Sequence, residues 1–156
     1  MKKPGVFFVA GIAALLILIS SFYRVKDHNP DENMLQESLV SYQDGKYLGQ
    51  SRYTYTDEPY WGSIRITIEK GSLTGIDFII RDSNLHETFT KKYKKHFKGN
   101  PEYIQQVKND WKGVQTYPKI MMKTQDISKI DALSGATWSY NIFRASAGEA
   151  LKKAVK

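Results

Sequence analysis

An uncharged run near the amino terminus constrains this chain most, because it decides the solvent in which that segment can fold. Residues 5–23 read GVFFVAGIAALLILISSFY and contain no charged side chain. As a helix rising about 1.5 Å per residue, the run would be about 28 Å long, close to the roughly 30 Å of a membrane's hydrocarbon core. The rest of the chain is too short to wrap such a helix. The run therefore predicts a transmembrane helix inside an N-terminal membrane anchor over residues 1–26.

A cleaved signal peptide is the alternative interpretation of the same run. Lys2 and Lys3 supply the charged start, but the apolar region is longer than the roughly 7–15 residues usual for such signals. The best cleavage point follows Ser21 and puts Ile19 where a small residue is preferred. We favour a retained, single-pass anchor in the cytoplasmic membrane. The two lysines favour a cytoplasmic N-terminus, although basic residues after the run weaken the asymmetry, and the domain is then expected on the extracytoplasmic side.

The net charge of +7 raises the question of a nucleic-acid partner. Four positive charges flank the apolar run, at Lys2, Lys3, Arg24 and Lys26. A further five lysines lie within residues 91–98. No nucleic-acid recognition motif accompanies that cluster, so a solvated helix face is the favoured interpretation and we expect no nucleic-acid partner.

Residue types exclude several other functions. The sequence has no cysteine, which rules out disulfides, thiolate nucleophiles and a lipoprotein anchor, so any redox function requires a bound cofactor. The three histidines, His28, His86 and His96, lack the spacing of a metal site. No paired catalytic carboxylates and no Ser-His-Asp set stand out, so we predict neither a metal site nor catalytic residues.

The chain after the anchor divides into a linker with a short helix over 27–43, the helix itself predicted at 31–42, and a domain over 44–156. Three runs in that domain are typical of strands: 46–56, 61–70 and 73–81. The middle run is the clearest, since Ile64, Ile66 and Ile68 alternate with polar residues. Lys70-Gly71-Ser72 between two such runs predicts a tight hairpin.

Beyond residue 84 the pattern becomes helical. We predict helices over 86–97, from Pro101 to about Trp111, in a short segment starting at Pro118, and over 135–155. Strands followed by helices predict an α+β fold in which an antiparallel sheet packs against helices.

Residues 131–139 read DALSGATWS and form the stretch most informative about chemistry. Ser134 can cap a helix whose first turn includes Thr137. Such a helix start offers unpaired N–H groups and partial positive charge, which suit a phosphate. Gly135 lets backbone come close, and Ala136 adds no bulk. From the residues alone, an anion site and an ordinary capped helix both remain open.

The pattern Asp-x-x-Ser-Gly-Ala-Thr-x-Ser resembles the flavinylation motif of the FMN-binding domain family. That family includes subunits of sodium-pumping NADH:quinone reductase and of the Rnf complex, and small extracytoplasmic flavoproteins. Asp44-Gly45-x-Tyr47-x-Gly49 resembles the opening of the same domain, and the resemblance covers residues 44–155.

The resemblance implies that FMN is the cofactor and that Thr137 carries it through a phosphoester bond. A flavin transferase, using FAD as donor and magnesium as cofactor, would make that bond. The surrounding residues implied in recognition or binding are Asp131, Ser134, Gly135, Ala136 and Ser139. Trp138 follows Thr137 directly and is a candidate contact for the flavin ring.

One departure from the family concerns a His-x-Glu-Thr-Pro-Gly-like stretch near the flavin ring. This sequence has His86-Glu87-Thr88-Phe89, without the spacer or the Pro-Gly. His86, Glu87 and Thr88 are therefore carried over as candidates for cofactor binding, beside the alternative of a surface helix start.

These features together predict a membrane-anchored extracytoplasmic flavoprotein that acts in electron transfer. Its partners would be a membrane electron donor and an extracytoplasmic acceptor, and it would be a redox carrier rather than a stand-alone catalyst. Two alternatives remain: a noncovalent FMN-binding protein of the same fold, and a flavin-free anchored binding module.

Overall fold

A computed structural model describes residues 41–156. The predicted anchor and all but the last residues of the predicted linker and short helix lie outside this part. Within residues 41–156, no helix combines the length and the apolar character needed to cross a bilayer.

The fold is α+β, with a four-stranded antiparallel sheet in the order β1-β2-β3-β4, which confirms the predicted class. The strands are β1 (Gly45–Gln50), β2 (Tyr60–Glu69), β3 (Ser72–Asp82) and β4 (Glu87–Thr88). Two long helices follow, α1 (Pro101–Thr124) and α2 (Thr137–Ala154). Short 3-10 helices cover Ser51–Tyr53, Lys91–Phe97 and Ile127–Lys129.

The β2–β3 hairpin forms as the alternation predicts. Ile64, Ile66 and Ile68 are at most 1% exposed, while the residues between them face outward or are half-buried. Because side chains of a strand alternate between its faces, this one strand supplies one wall of the core.

The hairpin turn has two residues, Lys70 and Gly71, both with positive φ, of 54° and 74°. Such turns match the right-handed twist of paired strands. The Asp44 carboxylate accepts hydrogen bonds from both turn N–H groups, at 2.8 Å from Lys70 and 2.9 Å from Gly71. These bonds lower the pKa of Asp44, with the Gly71 N–H as the larger cause. The turn is thereby tied to the residue that precedes β1.

Helix α2 crosses the sheet at very close range because glycines stand where it passes. A Cβ on Gly49 of β1 would lie 2.6 Å from the backbone nitrogen of Ala150. A Cβ on Gly62 of β2 would lie 2.6 Å from Cγ2 of Ile142. Real Cβ atoms do not approach this closely, so both positions admit only glycine without moving the helix.

The described chain begins beside the C-terminal end of α2. Tyr42 forms an isolated antiparallel bridge with Val155. The Gln43 N–H donates to the Ala154 carbonyl at 2.8 Å, and the Lys156 N–H donates to the Ser41 carbonyl at 3.1 Å. Residues 41–43 are therefore not helical, contrary to the end of the helix predicted at 31–42.

Three helix predictions, over 86–97, from Pro101 to about Trp111 and from Pro118, were wrong. Residues 86–97 form strand β4 and a 3-10 helix, because Phe89 between them is drawn into the core at 3% exposure. The helix from Pro101 does not end near Trp111 but runs through Pro118 to Thr124. A proline inside a helix removes a hydrogen bond, and the burial of Tyr117 in the core at this point favours the unbroken helix.

Candidate functional site

Helix α2 begins at Thr137, and this residue is exposed. The capping residue is Ala136, whose side chain accepts no hydrogen bond. Ser134, predicted as the cap, instead lies exposed in the turn before the helix. Within residues 41–156, the backbone N–H groups of Thr137 and Trp138 form no hydrogen bond to the main chain. The first turn thus presents a hydroxyl and two unpaired donors at the positive end of the helix dipole.

The third N–H of this helix is capped from another helix. The Asp110 carboxylate on α1 accepts the Ser139 N–H at 3.0 Å, and Asp110 is only 2% exposed. Its second oxygen accepts from the Gln106 side-chain amide at 2.6 Å. That amide also donates to the Gly135 carbonyl at 3.0 Å. A buried charge with these partners fixes the start of α2 against α1.

Tyr117 forms two hydrogen bonds to the loop that precedes Thr137. Its hydroxyl donates to the Ala136 carbonyl at 3.0 Å and accepts from the Leu133 N–H at 3.1 Å. Burial raises the pKa of Tyr117, so it stays a neutral donor. Gly135 has φ of 72°, and a side chain there would also collide with the amide of Asn109. The backbone of this loop is therefore fixed in a conformation that requires glycine.

An aromatic cavity of about 300 Å³ opens beside this helix start. Its lining residues come from β2, the segment after β4, and both helices: Tyr60, Phe89, Tyr93, Phe97, Tyr103, Gln106, Val107, Asp110 and Trp138. The Trp138 ring meets the Tyr60 ring edge-on at 5.4 Å and the Phe89 ring at 5.1 Å. This volume lies at the lower end of the roughly 300–1,000 Å³ usual for small-molecule sites.

A buried polar pair supports the cavity wall. The Tyr93 hydroxyl donates a short hydrogen bond to the Asp82 carboxylate. Burial works against ionisation of Asp82, but the bonds from Tyr93 and from the Leu85 and Asn84 N–H groups outweigh it and lower the pKa of Asp82. Burial first, and then this bond, raise the pKa of Tyr93. The pair therefore holds a neutral tyrosine ring against the cavity.

The predicted site residues fall into two groups. The first group is the continuous stretch 131–139, in which Asp131, Ser134, Gly135 and Thr137 are exposed, Trp138 lines the cavity, and Ala136 and Ser139 are buried.

The second group, His86, Glu87 and Thr88, lies at strand β4 and the residue before it. The Glu87 carboxylate binds Lys95 at 2.7 Å and His96 at 3.2 Å, and those two side chains lower its pKa. His86 and Glu87 line a different groove of about 270 Å³, together with two arginines. In this stretch, the residue that reaches the aromatic cavity is Phe89.

Most of the cavity lining was not identified from the sequence. The aromatic residues resemble ordinary core positions, and only the fold brings them to one place. Asp110 carried a usable signal, because a carboxylate among the apolar positions of a helix needs a partner when buried.

The site suits a ligand with a flat aromatic part and an anionic part. Apolar rings line the cavity, and two unpaired N–H groups lie at the adjoining helix start. A planar ring system can pack among the aromatic side chains, and a phosphate can bind the donors.

Comparison with known proteins identifies such a ligand. A family model described as an FMN-binding domain matches residues 59–152. A crystal structure of a protein from Clostridium perfringens is similar, with a TM-score of 0.53 and 22% identity over 72% of this chain and 88% of that one. A solution structure of a protein from Clostridium thermocellum matches with a TM-score of 0.41 and 19% identity over 71% of this chain and 91% of that one. A search of curated proteins finds no significant match.

Proposed function

Because this chain belongs to the FMN-binding domain family and FMN is its cofactor, we propose that it carries FMN as a phosphoester on Thr137. We further propose that it is a membrane-anchored extracytoplasmic flavoprotein that acts in electron transfer. The observation that carries the first proposal is the exposed Thr137 hydroxyl at the first position of α2, beside an aromatic cavity.

Residues of this chain would hold the two parts of the cofactor separately. The N–H groups of Thr137 and Trp138 would bind the phosphate at the positive end of α2. Trp138, Tyr60 and Tyr103 would pack around the isoalloxazine ring in the cavity. When bound, FMN supplies the electron-transfer chemistry, and the protein sets its orientation and exposure.

Attachment would require a second protein. A threonine hydroxyl is a very weak acid, so it needs a base and an activated phosphoryl donor. A flavin transferase would supply both: the Thr137 oxygen gains a bond to the FMN phosphorus of FAD, the pyrophosphate bond breaks, and AMP leaves. The exposure of Thr137 at the first position of α2 fits the role of a substrate for such an enzyme.

The proposed location rests on the uncharged run at residues 5–23. A retained anchor would keep the domain at the outer surface of the cytoplasmic membrane. A covalent bond to FMN has an advantage there, since no surrounding pool would replace cofactor that dissociates. The electron donor would be in the membrane and the acceptor outside it.

Mass spectrometry tests the attachment directly. Full-length protein co-expressed with a flavin transferase is expected to gain the mass of FMN less one water. Thr137→Ala should lose this gain, whereas Thr56→Ala, which alters another exposed threonine, should keep it. An adduct that persists in Thr137→Ala would refute the assignment of the attachment residue.

The same geometry also favours a noncovalent alternative, because unpaired N–H groups can bind a phosphate without a covalent bond. Yellow protein whose FMN is released by denaturation, with no gain in mass even in the presence of the transferase, would support that alternative. Colourless protein under these conditions would leave only the flavin-free binding module.

A further inference from the structure

Five lysines from two separate elements surround one concave surface next to the aromatic cavity. We call it the lysine face. It has a volume of about 530 Å³, with Ile104 as its apolar member. Its basic members are Lys92, Lys94, Lys95, Lys98 and Lys108. The first four lie in or directly after the 3-10 helix, and Lys108 lies on α1, so the fold brings charges from two elements to one face.

Little negative charge offsets this face. Among residues 41–156, the only ion pair made by its lysines is the one between Lys95 and Glu87. No acidic residue lines the concave surface. Asp110 is near in sequence to Lys108, but its carboxylate is buried and bound to the α2 helix start. Glu102 lies beside Tyr103 at the cavity rim, but among the described residues it forms no ion pair with these lysines. Four ammonium groups therefore contribute positive potential at this face.

The lysine face adjoins the proposed flavin site. The rings of Phe97 and Tyr103 stack 5.2 Å apart, and both line the aromatic cavity. The next residues along the chain, Lys98 and Ile104, belong to the lysine face. Tyr103 is 55% exposed. A protein bound to the lysine face would thus contact the rim of the cavity.

The first described residues, 41–43, lie at the C-terminal end of α2, opposite to the cavity. Ser41 is hydrogen-bonded beside the C-terminal end of α2, and Trp138 lines the cavity at the start of the same helix. A helix of 18 residues is about 27 Å long. Residue Ser41 and the cavity therefore lie at opposite ends of α2.

We propose that the lysine face docks an acidic surface of a protein that exchanges electrons with the bound flavin. This inference rests on the proposed electron-transfer function. Charge complementarity selects an acidic partner, and the contact of the face with the rim of the cavity favours a protein that must approach the flavin closely enough to exchange electrons. Complementary charge accelerates the encounter of two proteins and orients them.

The electrostatic potential near the cavity can be tested by comparing an anionic and a cationic metal complex as oxidants of the reduced flavin. Full-length protein whose FMN content has been verified is reduced anaerobically, and its reoxidation is followed by stopped flow. Oxidation by anionic ferricyanide should slow about tenfold between low and high salt, at the lower end of the known range for electrostatic steering. Oxidation by the cationic tris(phenanthroline)cobalt(III) should not slow.

Two matched variants assign the effect to the lysine face. The lysine-face variant combines four substitutions: Lys92→Gln, Lys94→Gln, Lys98→Gln and Lys108→Gln. At low salt, its reoxidation by ferricyanide should be about tenfold slower than that of the wild type. The control removes four exposed lysines from later turns of the two helices and from the C-terminal residue: Lys119→Gln, Lys123→Gln, Lys152→Gln and Lys156→Gln. This variant should retain most of the rate. Equal rates in the two variants would overturn the proposal.

A binding assay without flavin keeps the inference separate from the proposed function. Calorimetry should show poly-L-glutamate binding to the unloaded protein and to the control, and loss of that binding in the lysine-face variant. Binding to phosphatidylglycerol vesicles should be equal in the two variants. Loss of vesicle binding in the lysine-face variant, with poly-L-glutamate binding retained, would identify a lipid surface and refute a protein partner. Failure of FMN loading in every variant would refute the proposed function without affecting this assay.

Discussion

Replacing Asp110 by alanine tests whether a carboxylate on α1 is what fixes the start of α2. In the folded protein, Asp110 is 2% exposed and accepts the Ser139 N–H at 3.0 Å and the Gln106 amide at 2.6 Å. Asp110→Ala removes both acceptors. Ser139 is itself fully buried, so water cannot readily replace the lost bond.

The expected loss follows from two contributions. A buried donor left unsatisfied costs about 1–3 kcal/mol. A carboxylate at a helix N-terminus contributes about 0.3–1 kcal/mol, and more when partly buried. We therefore expect Asp110→Ala to lower the free energy of unfolding by about 1–4 kcal/mol. Asp110→Asn keeps an oxygen for the Ser139 N–H but loses the charge and replaces the acceptor of the Gln106 amide by an NH2 group, so it should cost about 1–2 kcal/mol.

Urea unfolding followed by tryptophan fluorescence measures these losses, because all three tryptophans of the chain lie within the described domain. The control is Gln105→Ala, one helical turn away, which removes an exposed bond to Asn109 and should cost about 0.2–0.5 kcal/mol. The reasoning fails if Asp110→Ala is no more destabilising than Gln105→Ala. It also fails if Asp110→Asn stabilises the protein, since burial of the charge would then be a net cost.

Two further predictions concern the sheet. The lowered pKa of Asp44 means that its contribution is complete above the unfolded pKa of about 3.9 and is lost as the pH falls through the folded value. The difference in unfolding free energy between wild type and Asp44→Asn should accordingly shrink below about pH 4 in a pH series of urea titrations. Gly49→Ala should destabilise the protein by about 3 kcal/mol or more, because its Cβ would overlap the α2 backbone. Gly75→Ala, where the nearest atoms lie at 3.5 Å, is the control and should change the thermal midpoint little. Similar midpoints for the two alanine variants would contradict the close approach of α2.

Local sequence patterns predicted the secondary structure correctly where residues close in sequence determine it. The alternation of Ile64, Ile66 and Ile68 predicted β2, the Lys70-Gly71-Ser72 turn predicted the hairpin, and Pro101 predicted the start of a helix. These patterns predicted the fold class, which the structure confirms, and the DALSGATWS motif indicated the FMN-binding family with FMN as cofactor, which the family model confirms.

Distant contacts explain what the sequence did not predict. Ser134 looked like a cap, but the cap of α2 comes from Asp110, 29 residues from Ser139. Pro118 looked like a helix start, but burial of Tyr117 favours continuation of the helix. The aromatic cavity joins residues from four segments of the chain, and no window of sequence contains it. The assignment of Thr137 as the FMN attachment residue stays a prediction.

The backbone pairing at residues 41–43 has a mechanical consequence. Tension applied through the preceding chain would first load the two hydrogen bonds that tie Ser41 and Gln43 to the end of α2. The turn that bears Thr137 lies at the far end of the same helix, about 27 Å away. If residues 1–40 anchor the protein as proposed, a pull on them would act on the end of α2 opposite to the turn that bears Thr137.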